Sequence, residues 1–245
     1  AIASVSHFEL LTCDDEKNGA HRIFLKGGIV DKFGKVGFPK GTKITVERLF
    51  FNTPARLKFL KTNNTELHHI QQHIVQKALA NPHIHFRLTS NSRLLLNLPG
   101  GQKLIDRIQK LFGEEFKNNL MMIKHEETYL KFSGFISIPS KPKTSRRWQY
   151  IFVNERNIKS LAVNHGIYSG FGTFLGKNQH PIFFLNLKIN PTEIDVNVHP
   201  AKTEIRFRND QLIHTILMDQ ISRALKDGAS RRFFGREHSH LSIPI

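Results

Sequence analysis

Lys202 occupies the most deliberately built turn in this 245-residue chain. Residues 194–207 read IDVNVHPAKTEIRF. Ile194, Val196 and Val198 alternate with Asp195, Asn197 and His199, which predicts a strand with one wet face. Pro200 ends that strand, because proline donates nothing to a sheet ladder. Ile205 and Phe207 alternate with Arg206 and Arg208, so a second strand follows. Lys202 is left on a short, exposed turn between them. Two readings stay open on these residues alone. One is a solvated surface lysine. The other is a lysine aimed at a phosphate, for which a compact charge with three donors on a long stem is well suited.

Other chemistry-bearing patterns are weaker. The chain contains no GxxxxGK[ST], no HExxH and no CxxC. GFGTFLG at 170–176 has glycines, but not at dinucleotide-loop spacing, and no strand precedes it; a flexible helix end is expected there. His68, His69 and His73 include an i, i+4 pair that could hold zinc. With no third ligand evident nearby, a polar helix face is expected instead. No metal site and no catalytic residue is assigned.

Composition narrows the partner. The formal charge is +16, from 36 Lys and Arg against 20 Asp and Glu, with 14 histidines besides. Such an excess draws polyanions, so nucleic acid leads and acidic membrane surface follows. Cys13 is the single cysteine, which excludes a disulfide framework and fits a reducing compartment. No apolar run approaches the ~20 residues of a membrane span, and no signal peptide opens the chain. The chain has no initiator methionine and is expected to be a fragment.

The elements that must position these residues follow from periodicity. Residues 5–13 and 20–30 read as strands, with DKFG at 31–34 as a turn. Residues 41–50 read as another strand, with Ile44, Val46 and Leu49 inward. Thr53 before Pro54 is a helix start. A helix is expected over 65–80, capped by Thr65, with Leu67, Ile70, Ile74 and Leu79 on one face. Residues 81–99 read as a hairpin turning at TSNS. PGG at 99–101 is the candidate domain boundary. A short amphipathic helix follows at 102–112. Strands near 127–137 and 148–154 flank a basic loop, 160–175 is helical and then Gly-interrupted, 182–189 is a strand, and 209–227 is a long helix. The residues after 228 show no clear period.

Two segments, GTKITVERLFFNTPARLKFLK and INPTEIDVNVHPAKTEIRF, with QYIFVNERNIK between them, resemble the DNA mismatch-repair family of MutL and its eukaryotic relatives. Order and spacing agree, and the resemblance runs from Ala1 to about Asp227. One departure is Glu155, where the family usually has glycine. The resemblance implies an α+β fold. Residues 1–100 would be the C-terminal part of an ATPase α/β sandwich shared with gyrase, the ninety-kilodalton heat-shock chaperone and histidine kinases. Residues 101–228 would be a ribosomal-protein-like βαβ domain, and 229–245 a tail or linker. It also implies that Lys202 contacts the γ-phosphate of ATP, with Gly41 and Thr42 beside the nucleotide.

The same resemblance shows what this sequence lacks. The family's glutamate general base, magnesium-binding asparagine, adenine-reading aspartate and phosphate lid have no counterpart here. ATP and magnesium are thus cofactors of the complete module, and this chain is expected not to hydrolyse ATP. DNA contact is the expected remaining activity, through Arg56, Lys58 and Lys61 and through Arg146, Arg147 and Lys159, with Lys141 and Lys143 in the same loop as the arginine pair. The spacing of Lys58 and Lys61 predicts a shared helix face. Such contacts bind phosphate without reading bases. The family further implies a mismatch-recognition protein, a nuclease and a helicase as partners, a homodimer in the complete protein, no membrane association, and a cytoplasmic or, in a eukaryote, nuclear location. Two other readings stand beside this one: a nucleic-acid-binding module with a ribosomal-protein-like fold and no nucleotide role, and a topoisomerase-like ATPase fragment.

Overall fold

The structure is a computed structural model that describes residues 1–15, 17, 19–195 and 204–237, with side chains described through 228. The chain divides into two compact units, Ala1–His69 and Ile70–Ile245.

The first unit is built on an antiparallel sheet in the order β3-β2-β1-β4, from β1 (His7–Cys13), β2 (Ala20–Lys26), β3 (Ile29–Val36) and β4 (Gly41–Glu47). The turn expected at DKFG is a correction: those residues lie inside β3, and the chain reverses at Gly27 and Gly28 instead. Both glycines have positive φ, +59° and +90°, the left-handed pair that a two-residue hairpin with right-handed strand twist requires. The pairs Phe8↔Leu25, Leu10↔Ile23, Phe8↔Val46 and Leu10↔Ile44 place these apolar side chains on one sheet face. Ile44 and Val46 are nevertheless exposed, at 58% and 42%, and Leu49 at 37%. The inward placement expected for them is overturned, because alternation selects a common face and says nothing of what covers it.

After β4 the chain passes through Arg48 and Phe50, both at positive φ, to helix α1 (Pro54–Phe59). Thr53 is at the N-cap as expected, although its side chain caps nothing. Helix α2 (Asn63–Ala80) starts two residues before the expected point. Thr62, not Thr65, is its cap: the Thr62 hydroxyl accepts from the Thr65 N–H at 3.3 Å.

The second unit centres on a five-stranded sheet in the order β10-β9-β11-β8-β7. Its strands are β7 (Leu120–Glu126), β8 (Leu130–Ser137), β9 (Gln149–Val153), β10 (Arg156–Asn157) and β11 (Phe183–Ile189). β9 and β11 are parallel and joined through helix α5 (Leu161–Phe171), a βαβ crossover. Helices α5 and α6 (Asp210–Glu237) cover one face. Val163, Ile167, Ile213, Leu217 and Ile221 there bury against Phe132, Ile136, Leu185 and Leu187. The two helices pack through Gly166 and Gly170. A Cβ on Gly166 would stand 2.8 Å from the His214 carbonyl oxygen, and one on Gly170 would stand 2.8 Å from Ile221 Cβ.

The opposite face is covered by the end of α2 with α3 (Leu104–Phe112) and α4 (Glu114–Asn118). Leu79, Ile108 and Phe116 meet Phe152 and Phe184 there. The expected hairpin is β5 (Phe86–Ser90) and β6 (Arg93–Leu98), turning at Asn91 and Ser92, both with positive φ.

The turn at 99–101 lies inside this second unit and is tied to it by Arg107. That side chain is fully buried, and its Nη2 donates to the carbonyls of Pro82, Ile84 and Pro99 at 2.8, 3.0 and 2.6 Å. One guanidinium thus holds the approach to the hairpin and its exit against α3. Burial lowers its pKa from the ordinary arginine value.

Candidate functional site

A two-stranded stem flanks residues 196–203. The Asn190 side chain accepts from the N–H of Thr192 at 3.0 Å and so caps the single helical turn Pro191–Glu193. β12 (Ile194–Asp195) then pairs antiparallel with β13 (Arg206–Phe207), Ile194 facing Phe207. The second leg is locked into the core and onto α6. Phe207 is buried, and its N–H donates to Asp210 at 3.2 Å. Arg208 donates its backbone N–H to the Glu193 carbonyl at 2.9 Å and sets its guanidinium 3.7 Å from the Glu193 carboxylate. Lys202 itself, with 196–203, lies outside the described residues.

Beside this stem is a pocket of about 480 Å³, lined by Lys159, Ser160, Asn164, Glu204, Arg206 and Asp210 among others. Lys159 bridges to Glu204 along the backbone. The buried Ser160 caps α5, its hydroxyl accepting from the Val163 N–H at 3.2 Å. Among the described lining residues two cations face two carboxylates.

Gly41 and Thr42 open β4 opposite Cys13 and Thr12. The Thr42 hydroxyl lies 3.0 Å from that of Thr12. Thr42 is therefore exposed but has one hydrogen bond already made. Gly41 has φ of +142°, and among the described residues no atom beyond its two chain neighbours lies within 4 Å of where a Cβ would be. Gly41 and Thr42 are both exposed at this strand start.

The six basic residues expected on DNA are all exposed. Arg56 and Lys58 lie in the last turn of α1. Lys61 does not share their helix face. Leu60 is extended, with ψ of 134°, and ends the helix before it, while the Lys61 N–H donates to Glu66 at the start of α2. Arg146 and Arg147 stand in the loop between β8 and β9, each over an aromatic ring. The Arg146 guanidinium is 5.8 Å from the Tyr168 centroid and that of Arg147 is 5.1 Å from Trp148. Lys143 in the same loop is committed elsewhere: its Nζ donates to Glu115 at 2.9 Å. That pairing holds the Glu115 carboxyl below the ordinary glutamate value. Sequence spacing could not reveal it, since the two residues are 28 apart.

GFGTFLG is a helix end, as expected: α5 stops at Phe171 and a short helical turn follows at Gly172–Phe174. His68, His69 and His73 lie on α2. Among the described residues no three His, Cys, Asp or Glu side chains converge as metal ligands do.

Comparison with known proteins places this geometry. Residues 108–226 match the family described as DNA mismatch repair protein, C-terminal domain. The MutL mismatch-repair protein of Halothermothrix orenii is 39% identical over 222 residues, 91% of this chain and 34% of the relative. The chain thus spans about a third of the length of the relatives it matches. Among solved structures, the Aquifex aeolicus MutL ATPase domain complexed with ADP is similar with a TM-score of 0.60 at 26% identity, covering 78% of this chain and 70% of that one. The N-terminal domain of a DNA repair protein is similar with a TM-score of 0.77 at 23% identity, covering 92% and 73%. The motif turns around Asn154 and the β12–β13 stem, the βαβ sheet and these likenesses agree, and the chain belongs to the MutL family of DNA mismatch-repair proteins.

Proposed function

We propose that this chain is the part of a MutL-type protein that senses ATP and engages DNA, within an ATP-switched clamp that couples mismatch recognition to later repair steps. The observation that carries it is the NTPARLKFL and DVNVHPAKTE pair of motifs on a fold similar to a MutL ATPase domain that holds ADP.

Gly41 and Thr42 fit the phosphate end of the nucleotide, since the glycine leaves the backbone open and the threonine hydroxyl is exposed. Lys202 contacts the γ-phosphate in this reading. ATP, when bound, supplies a terminal phosphate whose presence or loss changes the charge a lysine meets. Lysine and threonine provide charge and a hydrogen bond, not general-base catalysis. The chain by itself is therefore proposed to hydrolyse no ATP. DNA is held through phosphates by Arg56, Lys58, Lys61, Arg146, Arg147 and Lys159, independent of sequence. In the complete protein the partners are the mismatch-recognition protein, a nuclease, a helicase and a second copy of the chain.

The test is calorimetric titration of the 245-residue chain and of Lys202→Ala with ATP and magnesium. Weak binding by the parent that falls further in Lys202→Ala supports a phosphate-contacting lysine. Equal ATP binding by both proteins rejects that role. DNA binding with no nucleotide response in either points to a nucleic-acid module without a nucleotide role.

A further inference from the structure

The loop between β8 and β9 is more rigidly organised than a solvated basic loop needs to be. Its backbone forms a two-way bridge with His180: the Lys143 N–H donates to the His180 carbonyl at 2.9 Å and the His180 N–H returns to Lys143 at 2.7 Å. The His180 side chain is tied to the same place, its Nδ1 lying 2.8 Å from the Tyr168 hydroxyl. Gln149 Nε2 donates to that hydroxyl at 2.9 Å and to the Pro181 carbonyl at 3.1 Å. The Tyr168 ring is thereby fixed from two sides. The Trp148 ring is fixed against Phe116, centroids 5.4 Å apart. Lys143 lies over both of those rings while paired with Glu115, so it serves as an anchor for the loop.

On this frame Arg146 lies over Tyr168 and Arg147 over Trp148. Neither arginine pairs with a carboxylate among the described residues. A guanidinium held against a ring keeps its N–H donors in its own plane and directs them outward. A free arginine loses rotamer entropy on docking, and one already held over a ring has less left to lose. Planar paired donors are the geometry that grips phosphate oxygens bidentately.

We infer that Trp148 and Tyr168 are positioning residues that hold Arg147 and Arg146 as a two-pronged grip for the sugar–phosphate backbone of nucleic acid. This rests on the proposed DNA-engaging role and assigns that role a structural device. Neither ring touches the ligand. Their part is to fix where the cations are before it arrives.

The experiment uses fluorescence anisotropy of a labelled DNA duplex with the 245-residue chain across a range of salt concentrations. A double variant, Arg146→Lys with Arg147→Lys, keeps both charges and removes the guanidinium–ring contacts. The expected result is binding roughly three- to tenfold weaker at a given salt with an unchanged salt slope. The pair Arg146→Gln with Arg147→Gln is expected to weaken binding and to lower the slope by about two, one for each phosphate no longer neutralised. Trp148→Leu, which loosens Arg147 alone, should weaken binding by less than the lysine pair with the same unchanged slope, and Trp148→Phe should recover most of the affinity. Because Trp148 is packed on Phe116, its variants are accompanied by melting curves. The exposed arginine pair decides the matter if Trp148→Leu fails to fold. Equal binding by the lysine variant and the parent overturns the inference, since charge alone would then suffice. Equal binding by the glutamine variant and the parent also overturns it, while leaving DNA engagement by other residues intact. A parent chain that binds no DNA at low salt removes both the inference and the role it rests on.

Discussion

At the scale of single residues, Glu155 shows a local rule being broken. The turn between β9 and β10 places Asn154 at φ of +48° and Glu155 at +67°. Asparagine tolerates this region, and here its side chain also continues the ladder. It donates to the Ile189 carbonyl at 2.9 Å and accepts from the Ile189 N–H at 3.2 Å. Glutamate has no such compensation and carries the steric cost of its Cβ. Glu155→Gly is expected to stabilise the chain by about 1 kcal/mol, read as a higher urea midpoint; an unchanged or lower midpoint would count against strain there. Glu115 is a second case, because the Lys143 hydrogen bond and charge depress its carboxyl. A depressed carboxylate adds stability above its unfolded-state pKa and loses it as pH falls through the folded value. The Lys143–Glu115 link is thus present at neutral pH. Urea midpoints of the parent and Glu115→Gln should differ at neutral pH and converge as pH falls through the depressed value of Glu115, beneath the ordinary glutamate range. A gap that persists in acid would show that the charge is not what matters.

At the scale of elements, the α5–α6 pair meets at two close glycine contacts. Alanine gains about 1 kcal/mol of helix propensity over glycine, so the sign depends on what the new Cβ meets. At Gly166 it meets a backbone carbonyl oxygen of α6, which cannot swing away. At Gly170 it meets the Ile221 side chain and the Met218 carbonyl. Overpacking of this kind costs about 1–3 kcal/mol and exceeds the propensity gain at both positions. Gly166→Ala and Gly170→Ala are therefore each expected to be destabilised by roughly 1–2 kcal/mol, by chemical denaturation, since each new Cβ meets a carbonyl oxygen of α6. An unchanged midpoint in either variant would mean that α6 shifts as a rigid rod to make room. The short helix α1 offers the opposite situation, with Leu57 and Phe59 left exposed at 48% and 79%.

At the scale of the whole molecule, two surface properties stand out. One is charge: a net +16 predicts DNA affinity that falls steeply with salt. The other is the apolar sheet face of the first unit, where Val30, Phe33, Ile44 and Val46 are exposed at 53%, 70%, 58% and 42%. Exposed contiguous apolar surface with β3 and β4 as the outer strands of the described sheet favours association. The 245-residue chain is expected to self-associate at micromolar concentration and above, measured by light scattering. Phe33→Lys with Ile44→Lys should shift it towards monomer. A monodisperse parent chain would reject this expectation.

Residue order alone determined the strand alternation of β9 and β11, the helical period of α3, α5 and α6, the Asn91–Ser92 turn and the two family motifs. These depend on neighbours a few positions apart, whose spacing is set by the 2.0 and 3.6 periods of the backbone. It misplaced the β2–β3 turn because DKFG and GG both suit a reversal, and only strand pairing shows that the chain turns at the glycines. It also missed β7, whose LMMIKHE lacks clean alternation and is a strand because β8 pairs with it. The inward face of Ile44, the shared face of Lys58 and Lys61, the commitment of Lys143 to Glu115 and the position of Arg146 and Arg147 over aromatic rings were decided only in three dimensions. Each depends on what another element brings to the same place. Burial and ion pairing are contacts between residues distant in the chain, and no local period encodes them.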